Sequence, residues 1–520
     1  MQQRKMRSHW LWVSLICAAT VAIYLQVTGA YFCAYDDFLV LHQAAFEDTR
    51  EPSHVFTTPH WHSMKYRPLN RLVSLWTYQA TETRPLLYRV RNLAFHLANV
   101  ALVYFIGWLL FGSVPVSAAA AALFALHPLA DQSVIAATWT NTVAHSAFFL
   151  ALLFFLASLK SPRWPVLLPL ALFAGWISLL TYDPEVAVFL IIACGIAVFF
   201  FTARGKNISI GYVSTFCAGT GILMAIYFIL RTLFVPRGWS QAAAVIPAPT
   251  MILKNVGMYT AALLTPLDPV LANSWFGTPL PSEIASHPRF AIALAAAALV
   301  SLLAVGAALV YLFRRFPMLQ RSFDWPAVAF LICAIAAPWL PLLVFQPHPS
   351  ETYLYVSVAF YALLLAYALE RAVQALAPRK TAVVYSAAVC ALALMFSAAT
   401  WTRNQRVIYC ANTALRIFHS LPSELASGGA WTVVFAAAPG ERESRPYGFY
   451  AYRGIYTIGD DDEAITKALQ LRYRNTAITG RLLQASEAAS GCPVARTRQL
   501  CLRVHADGRV ESSKPQVSTQ

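Results

Sequence analysis

Two adjacent carboxylates, Asp36 and Asp37, follow the first long apolar run of the chain, residues 10–30. An acid at the edge of hydrocarbon costs several kcal/mol unless it has a partner or a task. Two tasks suit a carboxylate there: taking a proton from a hydroxyl and holding a divalent cation. Successive side chains on a regular backbone point in different directions. One acid is therefore expected to be the base, with Asp36 marginally preferred, and the other an orienting or metal-binding group. The residues that follow, 31–91, supply cations: Lys65, Arg67, Arg71, Arg84, Arg89 and Arg91. A guanidinium offers a two-pronged donor set that matches phosphate, and Lys65, Arg67 and Arg71 are the expected phosphate-binding group. Pro68 disfavours helix at Arg67, which suits a side chain held at a loop boundary. His60 and His62, with Asp37, are the candidate metal ligands. A divalent cation is the one cofactor that these residues would suit.

Other acids lie far along the chain, in Tyr182-Asp183-Pro184-Glu185 and in Gln346-Pro-His-Pro-Ser-Glu351-Thr-Tyr353. Glu185, Glu351, Tyr353, Tyr355 and His96 are the expected lining of an acceptor chamber. Each has a plainer reading too. Glu351 suits a helix start, the tyrosines suit an interfacial belt, and a histidine inside a span suits a satisfied structural group.

These side chains need a frame, and the composition says which kind. The 520 residues are 58% hydrophobic and 12% charged, with mean hydropathy +0.54. Soluble domains carry about 25% charged residues, so this is a polytopic membrane protein. In a soluble chain a net charge of +15 would raise nucleic acid as a partner. Here the basic residues sit in short links between apolar runs, where they set orientation, and no nucleic-acid partner is expected. Spanning runs fall at residues 10–30, 92–111, 116–137, 143–159, 165–181, 186–202, 212–230, 291–313, 327–345, 353–370 and 381–400, which makes about eleven helices. Asp131 and Asn141 interrupt the third and fourth, which are expected to be short or broken.

Alternate threading puts the short basic links on one side and the acidic ones on the other. The expectation is an N-terminus in the cytoplasm and the acids on the outer side of a bacterial inner (plasma) membrane. The two long connections, 31–91 and 231–290, then lie outside. No small-residue cleavage site follows residues 10–30, so that run is expected to be retained.

Beyond residue 400 polar residues return, and 401–520 is expected to form a small α/β extracytoplasmic domain next to the membrane domain 1–400. Residues 431–438 read as a buried strand and 462–471 as a helix with acids at its start. Residues 500–504 and 509–511 read as a hairpin about Ala506-Asp507-Gly508. Most of the nine cysteines lie in spans. Cys492 and Cys501 do not, and in an oxidising compartment they are expected to pair, a short loop worth roughly 2–3 kcal/mol.

Several motifs resemble one family in order and spacing. They are Asp36-Asp37; Tyr66-Arg67-Pro68-Leu69; Arg91-Asn92-Leu93-Ala94-Phe95-His96-Leu97-Ala98-Asn99; Leu123-Phe124-Ala125-Leu126-His127-Pro128 with Trp139; Glu185; and Glu351-Thr352-Tyr353-Leu354-Tyr355. Together they resemble the GT-C membrane glycosyltransferases, nearest to protein O-mannosyltransferases and their relatives with tetratricopeptide repeats. Thr352 and Asn141 stand where that group often has arginine, and no tetratricopeptide pattern follows residue 400. The resemblance implies a sugar linked to polyprenyl phosphate as donor, membrane lipids as surroundings, and a glycan, lipid or protein as acceptor. A flippase or other transporter of such lipids, or a glycan ligase or polymerase, would share the composition. Transporters keep ionisable groups near the membrane midplane, whereas these acids lie at the ends of spans.

Overall fold

The computed structural model describes residues 2–33, 36–59, 65–182, 208–235, 249–264, 323–339, 354–437, 462–483, 498–505 and 507–513, with positions 195, 198, 202 and 205. Helix α1 (Gln2–Tyr24) leads through a tight turn, Leu25–Val27, to α2 (Asp37–His42), which widens into a π-helical turn, Gln43–Asp48. Next come α3 (His54–Thr57), α4 (Pro68–Thr81) and α5 (Pro85–Phe111). They are followed by α6 (Val114–Leu126), α7 (Pro128–Ile135), α8 (Asn141–Ser158) and α9 (Trp164–Thr181). Further described helices are α10 (Ile210–Phe234), α11 (Pro249–Leu264), α12 (Trp325–Ala336), α13 (Tyr355–Leu376) and α14 (Thr381–Ser420).

Among the described residues seven helices are long and apolar enough to cross a membrane. An eighth is possible by joining α6 to α7 across a bend of 59°. The expected third span is thus broken, and at His127-Pro128 rather than at Asp131. Pro128 has no N–H to donate back along the helix and its ring crowds the preceding turn. The His127 Nδ1 accepts from the Leu129 N–H and restarts the helix. The two pieces still run the whole length of α5. Gly107, near the end of α5, backs onto Ser117, so closely that a Cβ there would lie 3.3 Å from the Ser117 Oγ. His96 Nε2 meets the Ala125 carbonyl at 3.2 Å, and Asn92 Nδ2 donates to the Ala136 carbonyl at 2.6 Å. α6 and α7 therefore form one bent span antiparallel to α5.

The other expected spans are described in part. Residues 186–202 and 291–313 lie largely or wholly outside the described residues, and of 327–345 a 12-residue helix, α12, is described. The expected last span does not stop at 400. It continues as α14 for 40 residues, about 60 Å of helix, so the proposed boundary between membrane and C-terminal parts falls inside one rod.

The C-terminal part holds the expected strand β1 (Trp431–Ala437), helix α15 (Asp462–Tyr473) and hairpin β3 (Gln499–Val504) and β4 (Val510–Ser513). It also has β2 (Ile478–Leu482), which the sequence did not announce. The sheet order is β2-β1-β3-β4, parallel except for the last pair. α15 packs on it at Gly480, where any Cβ would collide with Ile465. Cys501 is disulfide-bonded, and its expected partner, Cys492, lies outside the described residues. Unreduced mass spectrometry should recover the peptides of Cys492 and Cys501 linked. Alkylation of Cys492 in the native protein would exclude that pairing.

Two cores result. One fills the bundle between α1, α5, α6, α8 and α13. The second is shared: Phe32, Phe38 and Leu41 pack with Ala411 and Phe418 of α14 and with Ile465 and Leu469 of α15. α2 is thereby held between the bundle and the C-terminal part.

Candidate active site

The site lies at one end of the bundle, where α1 exits, α5 begins and the α6–α7 span finishes. At the other end His9 Nδ1 meets the Tyr104 hydroxyl at 2.7 Å, close to the end of α5. Two arginines fix the site end. Arg89 donates from Nε to the Ala30 carbonyl at 3.1 Å and from Nη2 to the Tyr31 carbonyl at 2.7 Å, and from Nη1 to Ile135 O. Arg91 donates to the carbonyls of Ala137 and Trp139 at 3.0 and 2.9 Å and to the Thr77 hydroxyl. The sequence counted both among the cations of the first long connection. Their guanidinium groups instead saturate carbonyls that no helix satisfies, an obligatory task once backbone is buried.

The stretch they hold, residues 136–140, reaches the acid pair. Asp37 is fully buried. Its Oδ1 accepts from the Thr138 N–H at 3.2 Å and hydroxyl at 2.8 Å, and its Oδ2 accepts from the Cys33 N–H at 3.0 Å. Those bonds tie the α1 exit, α2 and the end of α7 together. Asp36 is different. It receives a hydrogen bond from the Trp139 side chain, while its Oδ1 is buried with no hydrogen-bond partner among the described residues. Burial first, and then the neighbouring Asp37, push the Asp36 carboxyl up to about 7, against the pull of Trp139, Arg67 and Lys65. A carboxylate balanced there is half ionised near neutral pH, which suits a proton acceptor.

Arg67 and Lys65 act electrostatically on Asp36, and the Arg67 guanidinium sits over the Tyr182 ring, 4.6 Å from its centre. Arg71, one helical turn along α4, faces away from this use. It is buried, pairs with Asp48 through Nη2, and donates from Nε to Asp48 Oδ2 at 3.4 Å. It also donates to the Thr58 carbonyl at 2.7 Å and the Pro59 carbonyl at 3.0 Å. The sequence grouped Arg71 with Arg67 and Lys65 because nothing in the local spacing separates them.

Tyr355 and His96 lie in the bundle interior rather than on a chamber wall. The Tyr355 hydroxyl meets His96 Nδ1 at 2.6 Å and accepts from Asn99 Nδ2 at 3.0 Å, and the His145 ring stacks on Tyr355 at 4.6 Å. Both are fully buried. Glu185, Glu351, Tyr353, His60 and His62 lie outside the described residues. Among the described residues no group of three His, Cys, Asp or Glu side chains fits a metal ion. Both oxygens of Asp37 accept from chain donors. The residues that local reading missed are Thr138, as the partner of Asp37, and Tyr182, beneath Arg67. The Trp139 region stood out in the sequence, but not its bond to Asp36.

No protein-family model matches this chain, and no curated protein sequence matches it. Solved structures are similar in chain path. Apo ArnT from Cupriavidus metallidurans is 12% identical, covering 95% of this chain and 92% of that one, at a TM-score of 0.46. The same protein bound to undecaprenyl phosphate is 14% identical, with 95% and 93% covered, at 0.40. The archaeal oligosaccharyltransferase AglB from Archaeoglobus fulgidus, in complex with an inhibitory peptide and a dolichol-phosphate, is 13% identical at 0.44. In that case 83% of this chain is covered, and the chain spans 62% of the other's length. The likeness is one of chain path alone.

Proposed function

We propose that this protein is a membrane glycosyltransferase that moves a sugar from a polyprenyl-phosphate donor to an acceptor hydroxyl at the Asp36 end of the bundle. The observation that carries the reading is the division of labour between the two acids. Asp37 is spent on three chain donors. Asp36 keeps a buried oxygen without a partner among the described residues and is poised near neutrality. In the proposed step Asp36 takes the proton of the acceptor hydroxyl as its oxygen bonds to the sugar's anomeric carbon. The bond from that carbon to the phosphate oxygen breaks, and polyprenyl phosphate leaves. Arg67 and Lys65 neutralise the charge growing on the leaving phosphate. Arg71 is left out of this set because its guanidinium is already committed to Asp48 and two carbonyls.

Sugar and acceptor are unassigned. The site is proposed to face the outer side of a bacterial inner membrane, following the basic and acidic links along the chain. Purified protein offered a panel of polyprenyl-phospho-sugars should consume at least one, and consumption of none would refute the reading. With the active donor, Arg67→Lys retains charge but loses the fork. It should raise the donor KM about tenfold, with Arg67→Ala worse still. An Arg67→Ala protein with unaltered donor dependence would remove Arg67 from the phosphate site.

A further inference from the structure

We infer that the C-terminal part is a working piece of the active site, because Gln470 of α15 and His42 of α2 hold the helix that presents Asp36. The bond between them joins positions 428 residues apart, with His42 Nε2 and Gln470 Oε1 at 2.8 Å. Its polarity is fixed from the far side. Gln470 Nε2 donates to the carbonyls of Thr476 and Ile478, both at 3.0 Å. The amide nitrogen is thus turned toward the entry to β2, and Oε1 is left as the acceptor. His42 must then carry its proton on Nε2. The histidine is buried, and burial keeps it neutral, as a one-proton donor requires.

The remaining contacts of α2 point the same way. Phe38 packs against Phe418 of α14, with ring centres 5.2 Å apart, and Leu41 shares a core with Ile465 and Leu469. At the end of the π-helical turn, Asp48 is pinned by Arg71. At its start Asp37 is pinned by Cys33 and Thr138. The segment bearing Asp36 and Asp37 is therefore fixed at both ends by the membrane part and along its middle by the C-terminal part. A shift of α2 by one ångström would move Asp36 away from the hydroxyl it serves, and misplacements of that size cost about a hundredfold in rate. Gln470 and His42 touch no substrate in this scheme; they are positioning residues.

The inference rests on the proposed function for its kinetic consequence but not for its structural one, and the test separates the two. Hydrogen exchange over residues 37–48 should quicken about tenfold in full-length Gln470→Leu, which removes the one bond from Gln470 to α2 together with its two bonds to the β2 entry. It should leave exchange in α8 and α13 unchanged. His42→Phe tests the same bond from the other side while leaving both bonds of Gln470 to the β2 entry intact, should the leucine variant fold poorly. Turnover of the active polyprenyl-phospho-sugar should fall about ten- to a hundredfold in kcat, with the donor KM unchanged. Unaltered exchange in 37–48 in both variants would overturn the inference, as would faster exchange with wild-type kcat. If the wild-type protein turns over no donor, the functional reading fails, and the exchange result alone decides whether Gln470 holds α2.

Discussion

Asp36→Asn is expected to lower turnover by about a hundredfold to ten-thousandfold, the usual worth of a general base. Asparagine is nearly the same size and keeps an oxygen for the Trp139 donor, so the pocket should survive. The wild-type rate should climb roughly tenfold per pH unit up to about 7, where Asp36 titrates, and level off above it. The residual rate of the variant should lose that limb. Stability supplies a second sign. The folded value, about 7, lies above the ordinary 3.8. Between those values the native state binds more protons than the unfolded one, so stability falls as pH rises through that window. The asparagine variant should lack this slope and melt higher than wild type above pH 7. Turnover at the wild-type rate would dismiss Asp36 as the base. Asp37→Asn should behave otherwise. It puts an amide where three donors converge, so its cost should appear as lost stability, with activity falling as the loop loosens.

Arg71→Ala is expected to be the most damaging change to stability in the segment between α1 and α5, about 3–5 kcal/mol, because it strands a buried carboxylate. Asp48 is buried, and desolvation holds its carboxyl above the ordinary range in spite of the guanidinium beside it. Without Arg71 it should hold a proton more tightly still. The penalty should therefore shrink as the pH is lowered, since a protonated Asp48 needs no counter-charge. Thermal unfolding of Arg71→Ala and Arg67→Ala in the same detergent separates the two arginines. The first should melt early, and the second should melt like wild type while losing donor use. An Arg71→Ala protein of wild-type stability with a weakened donor KM would return Arg71 to the phosphate site.

The acid pair was legible because it stands beside a span whose length cannot be mistaken. So was the presence of a break in the third span, although Pro128 and not Asp131 makes it. What local sequence withheld was the assignment of roles. Asp36 and Asp37 are equivalent to any reading of neighbours, and what separates them is Thr138, 101 positions away. Arg67 and Arg71 lie one helical turn apart, and only their distant partners, Tyr182 for the first and Asp48 with two carbonyls for the second, tell them apart. His96 and Tyr355 suggested a chamber by their motifs. Packing turns them into a sealed polar contact between α5 and α13. Strand β2 escaped because a glycine in its middle reads as a turn, whereas that glycine is what lets α15 approach the sheet.

The bond between His42 and Gln470 also sets a clock. Residues 37–42 emerge from the ribosome early, yet the partner arrives 428 residues later. At 5–20 residues per second the wait is roughly 20 to 90 s. Through that interval Phe38 and Leu41 lack the far half of their core, so the newborn segment must be shielded by lipid, by the insertion machinery or by a chaperone. The bond closes only after α15 has left the ribosome, so α2 takes its final setting well after the membrane part around it has been made.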